Sequence, residues 1–197
     1  MKTLFFDVDT QIDFLYPAGA LYVSGAEAIV DQIAALNHFA ASQGIRVIST
    51  MDAHPENDPE FRDWPPHCIA GTAGQHKPAS TLLDRRVVVA NMPGLPEIGN
   101  AQQVVLEKQA FDCFTNVNLA ALLNLLAAER YTVYGVVTEI CVKFAAFGLL
   151  KTGQRVELVT DAVKGLDNTA QAKMFEEFTA KGGMLTSAAQ VMSEVYH

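Results

Sequence analysis

The sequence predicts an α/β protein with a parallel sheet that helices cover on both faces. Short apolar runs rich in Val, Ile and Phe alternate along the chain with helical patterns, which is typical of such a sheet. Half of the 197 residues are hydrophobic and only 18% are charged, so the chain can fill a core. This length favours one domain, spanning residues 1–197.

Apolar runs bounded by polar residues, Gly or Pro are predicted as strands. Six such runs occur, at residues 4–8, 46–50, 87–90, 103–106, 132–137 and 155–160.

Helical patterns fill most of the gaps. Residues 25–43 and 117–129 carry apolar side chains at helical spacing. Gly44 stands where a C-terminal cap is expected for the first helix, and Asn116 or Asn118 is a candidate N-cap for the second. Two further helices are predicted at residues 141–151 and 169–181.

Residues 9–24 and the Pro-rich stretch 52–82 do not fit this alternation. A compact domain rarely keeps so long an irregular segment without a functional use. In open α/β sheets, ligands bind beyond the carboxyl ends of the strands, so the residues after each strand are candidate site residues. Those residues are polar and comprise Asp9, Asp52, His54, Lys108 and residues 138–141.

Asp9, Lys108 and Cys141 follow three strands whose ends can meet in one crevice. A cysteine reacts as the thiolate and gains from a helix N-terminus, a nearby cation and a base. Cys141 begins a helical pattern, Lys108 is the candidate cation and Asp9 the candidate base. Backbone N–H groups at that turn can stabilise an oxyanion. The alternative is a small buried hydrophobe beside a capping aspartate and a solvated lysine.

The irregular stretch also holds two imidazoles and two carboxylates, which suit a divalent first-row metal. Otherwise its histidines are ordinary loop residues. The four residues are Asp52, His54, Glu60 and His67. Phe14 and Trp64 are the aromatic residues nearest to these groups in sequence, and they either stack on a flat substrate or pack in the core.

Several function classes are excluded by composition. The formal net charge is -8 and no basic cluster is longer than Arg85-Arg86, so we do not expect nucleic-acid binding. No stretch approaches the roughly 20 apolar residues that span a bilayer. Acidic residues interrupt the first apolar run, which argues against a signal peptide. The three cysteines lack CxxC spacing and are expected to be free thiols in a cytoplasmic protein.

Five short motifs occur in one order across about residues 2–190. They are Asp9-Thr10-Gln11-Ile12-Asp13-Phe14, Asp52-Ala53-His54, Trp64-Pro65-Pro66-His67-Cys68 with Gly71-Thr72, Lys108, and Thr138-Glu139-Ile140-Cys141-Val142. Together they resemble the isochorismatase-like cysteine hydrolases, and the nicotinamidase (pyrazinamidase) branch in particular. The resemblance implies a three-layer α/β/α fold with a mainly parallel, Rossmann-like sheet.

The resemblance also implies hydrolysis of a small amide, in nicotinamidases the conversion of nicotinamide to nicotinate and ammonia. Asp9, Lys108 and Cys141 would then form the catalytic triad: Cys141 forms a thioester, Asp9 moves the proton, and Lys108 favours the charged forms. The family's oxyanion hole, with its cis peptide, falls at Val136-Val137 and uses the N–H groups of Val137 and Cys141.

The same resemblance implies one divalent metal ion that anchors the pyridine nitrogen, with zinc expected and manganese or iron as alternatives. Its ligands would be Asp52, His54, Glu60 and His67. Phe14 and Trp64 match the residues that sandwich the ring. Association into homo-oligomers is common in this family.

Three departures from the nicotinamidase pattern leave the substrate open. Ile12 stands where Asn is usual, Glu139-Ile140 where Asp and another residue are commoner, and residues 109–114 do not match the family's Tyr-Ser-Gly-Phe type of segment. Another small amide or a carbamoyl compound therefore stays an alternative. Whether the enzyme serves NAD salvage or another amide pathway also stays open.

Two other function classes compete with this interpretation. Residues 5–10 look like the DxDx[TV] opening of haloacid-dehalogenase-like phosphatases, in which an aspartate is the nucleophile. Gln11 stands at the fifth position of that motif and no GDxxxD motif follows, so we disfavour a phosphatase with Asp7 as the essential residue. A catalytically silent binding protein is the second alternative, although pure binding does not require Asp9, Lys108 and Cys141.

Overall fold

The computed structural model describes residues 1–194, which form a seven-stranded parallel sheet with the strand order 3-4-2-1-5-6-7. Each adjacent pair of strands runs parallel. The α/β fold class predicted from the sequence is therefore confirmed. The strands are β1 (Thr3–Val8), β2 (Arg46–Asp52), β3 (Arg86–Val89), β4 (Gln103–Lys108), β5 (Arg130–Val136), β6 (Arg155–Lys164) and β7 (Met184–Thr186).

Helices cover the sheet on both faces. They are α1 (Ile12–Leu15), α2 (Val30–Ser42), α3 (Leu119–Leu126), α4 (Lys143–Leu150), α5 (Asn168–Ala180) and α6 (Ala188–Ser193). The chain moves one way across the sheet through α2 and the opposite way through α3, α4 and α5, so right-handed crossovers put these two sets on opposite faces. The contacts agree, since α2 packs against α6 and α4 against α5. None of the helices described is long and apolar enough to cross a membrane.

The core is centred on β1 and β5, in which every residue is buried. Phe5 and Phe6 point to opposite faces of β1 and are both fully buried. Phe5 contacts the ring of Tyr134 edge-on at 6.1 Å, and the Tyr134 hydroxyl donates to Asn37 Oδ1 at 2.5 Å. Strands buried on both faces read as continuous apolar runs, which is why the sequence revealed them.

The structure differs from the sequence prediction in several helical details. Gly44 has the left-handed backbone (φ 69) of a C-terminal cap, as predicted. Residues 26–29 of the first predicted helix form a 3-10 turn instead of an α-helix. Asn118 occupies the N-cap position of α3, as predicted, but its side chain makes no capping bond, because its amide donates to the carbonyls of Ala90 and Met92. β7 and α6 were not predicted.

The strand order places one switch point between β1 and β5. From β1 the chain first moves to β2, and it later crosses to β5 on the other side of β1. In open α/β sheets, the crevice beyond the carboxyl ends of the strands at such a point is where ligands bind. Asp9 follows β1 and residues 138–141 follow β5, so both segments lie at this crevice.

Candidate active site

Asp9 lies at the switch point in a strained and well-anchored conformation. Its φ of 48 is in the left-handed region, which is uncommon for a residue other than glycine. Thr50 on β2 secures it from both sides: the Asp9 N–H donates to the Thr50 carbonyl at 3.2 Å, and Thr50 Oγ1 donates to Asp9 Oδ1 at 2.6 Å. These bonds leave Oδ2 directed into the site. Strain of this kind persists where the surroundings fix it, and it is common at functional sites.

Lys108, the last residue of β4, is fully buried at the centre of the site. Its Nζ lies 2.8 Å from Asp9 Oδ2, contacts the Asp52 carboxylate, and is 3.9 Å from Cys141 Sγ. Burial alone would lower the pKa of Lys108, but the carboxylates of Asp52 and Asp9 outweigh it and raise that pKa well above the ordinary value. The side chain is therefore a fixed cation held between two carboxylates.

Cys141 is buried in a π-helical turn (Thr138–Val142) that leads into α4. The Val137 carbonyl accepts from the N–H groups of Ile140 and Val142 at 3.0 and 3.1 Å, and the Val136–Val137 peptide bond is cis. Burial raises the pKa of the Cys141 thiol well above its ordinary value; Lys108 opposes the shift, and the nearby carboxylate of Asp9 adds to it. The resting sulfur therefore keeps its proton beside a carboxylate that can accept it.

Three of the residues predicted as metal ligands meet beside this trio. One potential ligand atom from each of Asp52, His54 and His67 lies within 4.8 Å of the others, and all three side chains are buried. Backbone pairing brings the two histidines together, because the His54 N–H donates to the Cys68 carbonyl at 3.1 Å and the Ala70 N–H donates to the His54 carbonyl at 2.9 Å. The irregular stretch is thus an ordered arm that holds two imidazoles side by side.

The hydrogen bonds of the two histidines leave the same ring nitrogen available in each. His54 Nδ1 bonds Asp58 Oδ2 at 3.0 Å and His67 Nδ1 bonds the Pro65 carbonyl at 2.8 Å. These acceptors fix Nδ1 as the donor, as partners of metal-binding histidines usually do. His54 Nε2 is buried, has no hydrogen-bond partner within residues 1–194, and lies 3.9 Å from Asp52 Oδ2. An orphaned imidazole nitrogen beside a carboxylate fits a divalent cation.

Glu60 lies at the edge of this cluster. It stands on a 3-10 turn (Pro59–Arg62) capped by Asp58, and its Oε1 is 3.7 Å from His67 Nε2. Burial raises the pKa of Asp52 to about 7; Lys108 lowers it and Asp9 raises it further. Burial also raises the pKa of Glu60. Both shifts indicate that the buried carboxylates would carry more negative charge than Lys108 neutralises. A bound cation would offset this excess negative charge.

A pocket opens above Cys141. Phe14 and Trp64, the two aromatic residues singled out in the sequence, both line it. The Phe14 ring lies 5.3 Å from that of His67, and Trp64 meets Phe111 edge-on at 6.4 Å. Sequence reasoning assigned no role to the other apolar wall residues, which are Leu21, Val23, Phe111, Ile140 and Leu166.

Two motif residues with no role assigned from sequence brace the site. The Gln11 side chain accepts from the Asp52 N–H at 2.7 Å and donates to the Asp52 carbonyl at 2.9 Å, so it fixes the end of β2. The Asp13 carboxylate accepts from the N–H groups of Cys68 at 2.7 Å and Ala20 at 2.9 Å. Both lie within the opening motif, so the signal was present, but their partners are distant in sequence.

Asp7 does not occupy a nucleophile's position. Its side chain is fully buried, and the carboxylate accepts from Thr10 Oγ1 at 2.7 Å and Ser49 Oγ at 2.8 Å, with Lys77 Nζ at 3.4 Å. It is not among the residues that line the pocket. This environment is that of a satisfied internal carboxylate, which argues against the phosphatase alternative.

Comparison with known proteins points to one family of hydrolases. Residues 93–190 match the family model of the Isochorismatase domain. Nicotinamidase of Escherichia coli K12 is 27% identical over 205 residues, covering 92% of this chain and 93% of the relative. Nicotinamidase/pyrazinamidase of Mycobacterium tuberculosis is 28% identical over 194 residues, covering 92% and 97%. The crystal structure of pyrazinamidase of Pyrococcus horikoshii in complex with zinc superposes with a TM-score of 0.79 at 29% identity, covering 95% of this chain and 99% of that one. From its matched domain, its motifs and its fold, the chain belongs to the isochorismatase-like hydrolases, and its relatives include the nicotinamidases.

Proposed function

We propose that this protein is a metal-containing cysteine amidohydrolase whose substrate is a small carboxamide, with nicotinamide as the first candidate. Nicotinamide and water would give nicotinate and ammonia. The mutual contact of Asp9, Lys108 and Cys141 below the pocket carries this proposal. The three side chains supply a nucleophile, a proton acceptor and a fixed cation, which covalent amide hydrolysis requires.

In the first half of the reaction, Cys141 Sγ bonds the carboxamide carbon and its proton passes to Asp9. The N–H groups of Val137 and Cys141 donate to the developing oxyanion. The C–N bond then breaks, and Asp9 returns the proton to the leaving nitrogen, which departs as ammonia. A thioester on Cys141 remains. Lys108 stays charged throughout and stabilises the ionised carboxylate of Asp9 before it takes the proton and after it has returned it.

In the second half, Asp9 takes a proton from a water molecule whose oxygen bonds the thioester carbon. The C–S bond breaks, and the sulfur recovers its proton from Asp9. The product leaves as a carboxylate after losing its own proton to solvent. A single carboxylate thus serves both halves, and the Thr50 hydroxyl bonded to its Oδ1 leaves Oδ2, which faces Lys108, to carry the proton.

Asp52, His54 and His67, with Glu60 at the edge, would hold the metal ion, for which zinc is the first candidate and manganese or iron the alternatives. When bound, the ion would supply a Lewis-acid position that anchors the ring nitrogen of a pyridine carboxamide. Phe14 and Trp64 would hold the ring between them. Gln11 and Asp58 would keep the ligand side chains oriented through the hydrogen bonds described above.

The pocket also supports a second candidate substrate class. Phe111 forms part of the wall and belongs to residues 109–114, the segment that departs from the nicotinamidase pattern. A wall with different side chains changes which acyl group fits. Another small amide or a carbamoyl compound would use the same nucleophile.

Ammonia release from nicotinamide by the purified protein tests the proposal, beside Cys141→Ala and a chelator-treated sample. We expect release that disappears in the variant and falls on chelation. Release from another small amide alone would keep the reaction and replace the substrate. Absence of turnover across a panel of amides would overturn the proposal and favour a silent binding protein.

The cellular setting forms part of the same proposal. The three cysteines are free and buried thiols, which supports a cytoplasmic enzyme. If nicotinamide is the substrate, NAD salvage is the pathway such an enzyme would serve. Assembly into homo-oligomers stays an expectation from the family resemblance.

A further inference from the structure

Leu166 marks the mouth of the pocket. It lies between β6 and α5, lines the same pocket as Cys141, and is nevertheless 49% exposed. A side chain that faces both the pocket and solvent forms the rim through which a substrate passes. Residues 165–167, which we call the rim loop, carry it there.

Glu139 anchors the rim loop to the turn that carries the nucleophile. Its Oε1 accepts from the N–H groups of Leu166 at 2.8 Å and Asp167 at 3.0 Å. The other oxygen lies so close to Gly165 that an added Cβ there would be only 2.3 Å away. Glu139 Oε1 therefore fixes the position of the loop through two charge-assisted hydrogen bonds from backbone N–H groups.

A second connection joins the nucleophile turn to α5, which begins directly after the rim loop. Thr138 Oγ1 donates to Gln171 Oε1 at 3.0 Å, and Asp167 caps α5 by accepting from the Ala170 N–H at 2.7 Å. Thr138 and Glu139 both belong to the π-helical turn of Cys141. The rim loop therefore cannot shift outward without breaking bonds to the nucleophile turn.

We propose that Leu166 is a specificity-determining residue that limits the size of the acyl group reaching Cys141, and that Glu139 is its positioning residue. This inference rests on the proposed amide hydrolysis. The pocket accepts carboxamides on a single ring, and the rim excludes fused or heavily substituted rings. Glu139 does not line the pocket and acts only through the rim loop.

The first test compares Leu166→Ala with the wild type on nicotinamide and on quinoline-3-carboxamide, which carries a second fused ring. We expect the ratio of kcat/KM, bicyclic over monocyclic, to rise about tenfold. Leu185→Ala is the matched control, because Leu185 is 42% exposed on β7 and does not line the pocket. An unchanged ratio in Leu166→Ala would overturn the role of Leu166.

The role of Glu139 is tested with two substitutions. Glu139→Gln retains an oxygen that accepts both N–H groups, so it should keep the wild-type ratio within about twofold. Glu139→Ala removes both bonds and should raise the ratio as Leu166→Ala does. A merely structural role would lower both kcat/KM values together and leave the ratio unchanged, and that result would contradict the proposal.

Alkylation of Cys141 provides a readout that does not need turnover. Labelling by iodoacetamide and by the bulkier N-phenylmaleimide is followed at the Cys141 peptide by mass spectrometry. Leu166→Ala should raise the ratio of the two labelling rates, N-phenylmaleimide over iodoacetamide, about tenfold. If this ratio shifts while no amide is hydrolysed, the rim assignment stands and the proposed function fails. If amides are hydrolysed and neither ratio shifts, the rim assignment fails alone.

Discussion

Lys108 and Lys77 are two buried lysines that bind aspartates in different places. Lys108 lies between Asp9 and Asp52 beside the thiol, whereas Lys77 binds Asp7 and donates to Thr10 Oγ1 at 2.9 Å. Removing one partner of a buried ion pair leaves an uncompensated charge and costs about 3–5 kcal/mol. We expect Lys108→Met and Lys77→Met to lower the free energy of unfolding by similar amounts in urea titrations.

The two variants should differ at the thiol. Lys108 is the cation that lowers the pKa of Cys141 against burial, so only Lys108→Met should slow iodoacetamide labelling of that residue. We expect at least about a tenfold slower rate, measured on protein shown to be folded by circular dichroism. Equal slowing in Lys77→Met would contradict the electrostatic role of Lys108.

Asp58 illustrates a residue that acts through its neighbour. It accepts from His54 Nδ1 and, through its other oxygen, from the Glu60 N–H at 2.9 Å. Losing such a partner typically costs a factor of about 10–100 in metal affinity. We predict that Asp58→Asn weakens zinc binding by that factor in competition with a chromophoric chelator. Asp63→Asn, an exposed carboxylate of the same arm, is the control, and equal affinities in the two variants would refute the role of Asp58.

At the scale of elements, β5 approaches β1 so closely that one position must lack a side chain. Gly135 has a φ of 121, and a Cβ there would lie 2.1 Å from the Val8 carbonyl oxygen, next to Asp9. Gly153 also has a positive φ, of 79, but has nothing within 4 Å of an added Cβ. The two glycines therefore separate the cost of backbone conformation from that of a clash.

We predict that Gly153→Ala lowers the free energy of unfolding by about 1 kcal/mol, the cost of a left-handed backbone. Gly135→Ala should cost about 3 kcal/mol or more, because the sheet must open to accept the methyl group. It should also displace Asp9 and reduce kcat. Denaturant titrations of both variants measure the two losses in the free energy of unfolding. Equal losses would show that β1 moves away from β5 at no cost.

At the scale of the whole molecule, the sequence predicts what depends on local pattern. Six strands were recognisable because each is a short apolar run, and Cys141 and His54 because reactive side chains follow such runs. β7 was missed since it has three residues and none of them is buried. The pairing of β1 with β5 is set by contacts between residues 127 positions apart, which no local pattern encodes.

The same limit explains the site residues that the sequence could not supply. Phe111 and Leu166 have ordinary sequence neighbours, and only the folded sheet brings them to one pocket. Thr50 is an unremarkable strand threonine until it is seen to hold Asp9. Residues that react carry a chemical signature, whereas residues that shape or brace the site carry none.

An ionic cluster ties the end of the described chain to the sheet and makes overall stability depend on pH. Arg130 on β5 donates to Glu157 on β6 at 2.9 Å and to Glu194, just after α6, at 3.0 Å. The hydrogen bond from Arg130 lowers the pKa of Glu194 below its ordinary value of 4.5. Ionised Glu194 therefore stabilises the folded state, by less than about 1 kcal/mol because solvent reaches it.

Because the folded pKa is the lower one, this stabilisation is complete above the unfolded value of 4.5 and disappears as the pH falls through the folded value. We predict that Glu194→Gln unfolds at lower urea concentration than the wild type near neutral pH. The difference in urea midpoint should close as the pH falls through the folded pKa of Glu194, which lies below 4.5, because protonation then removes the charge from the wild-type side chain. A gap that persists unchanged into acid would mean that Glu194 stabilises α6 by packing, since only an ionic contact with Arg130 is lost on protonation.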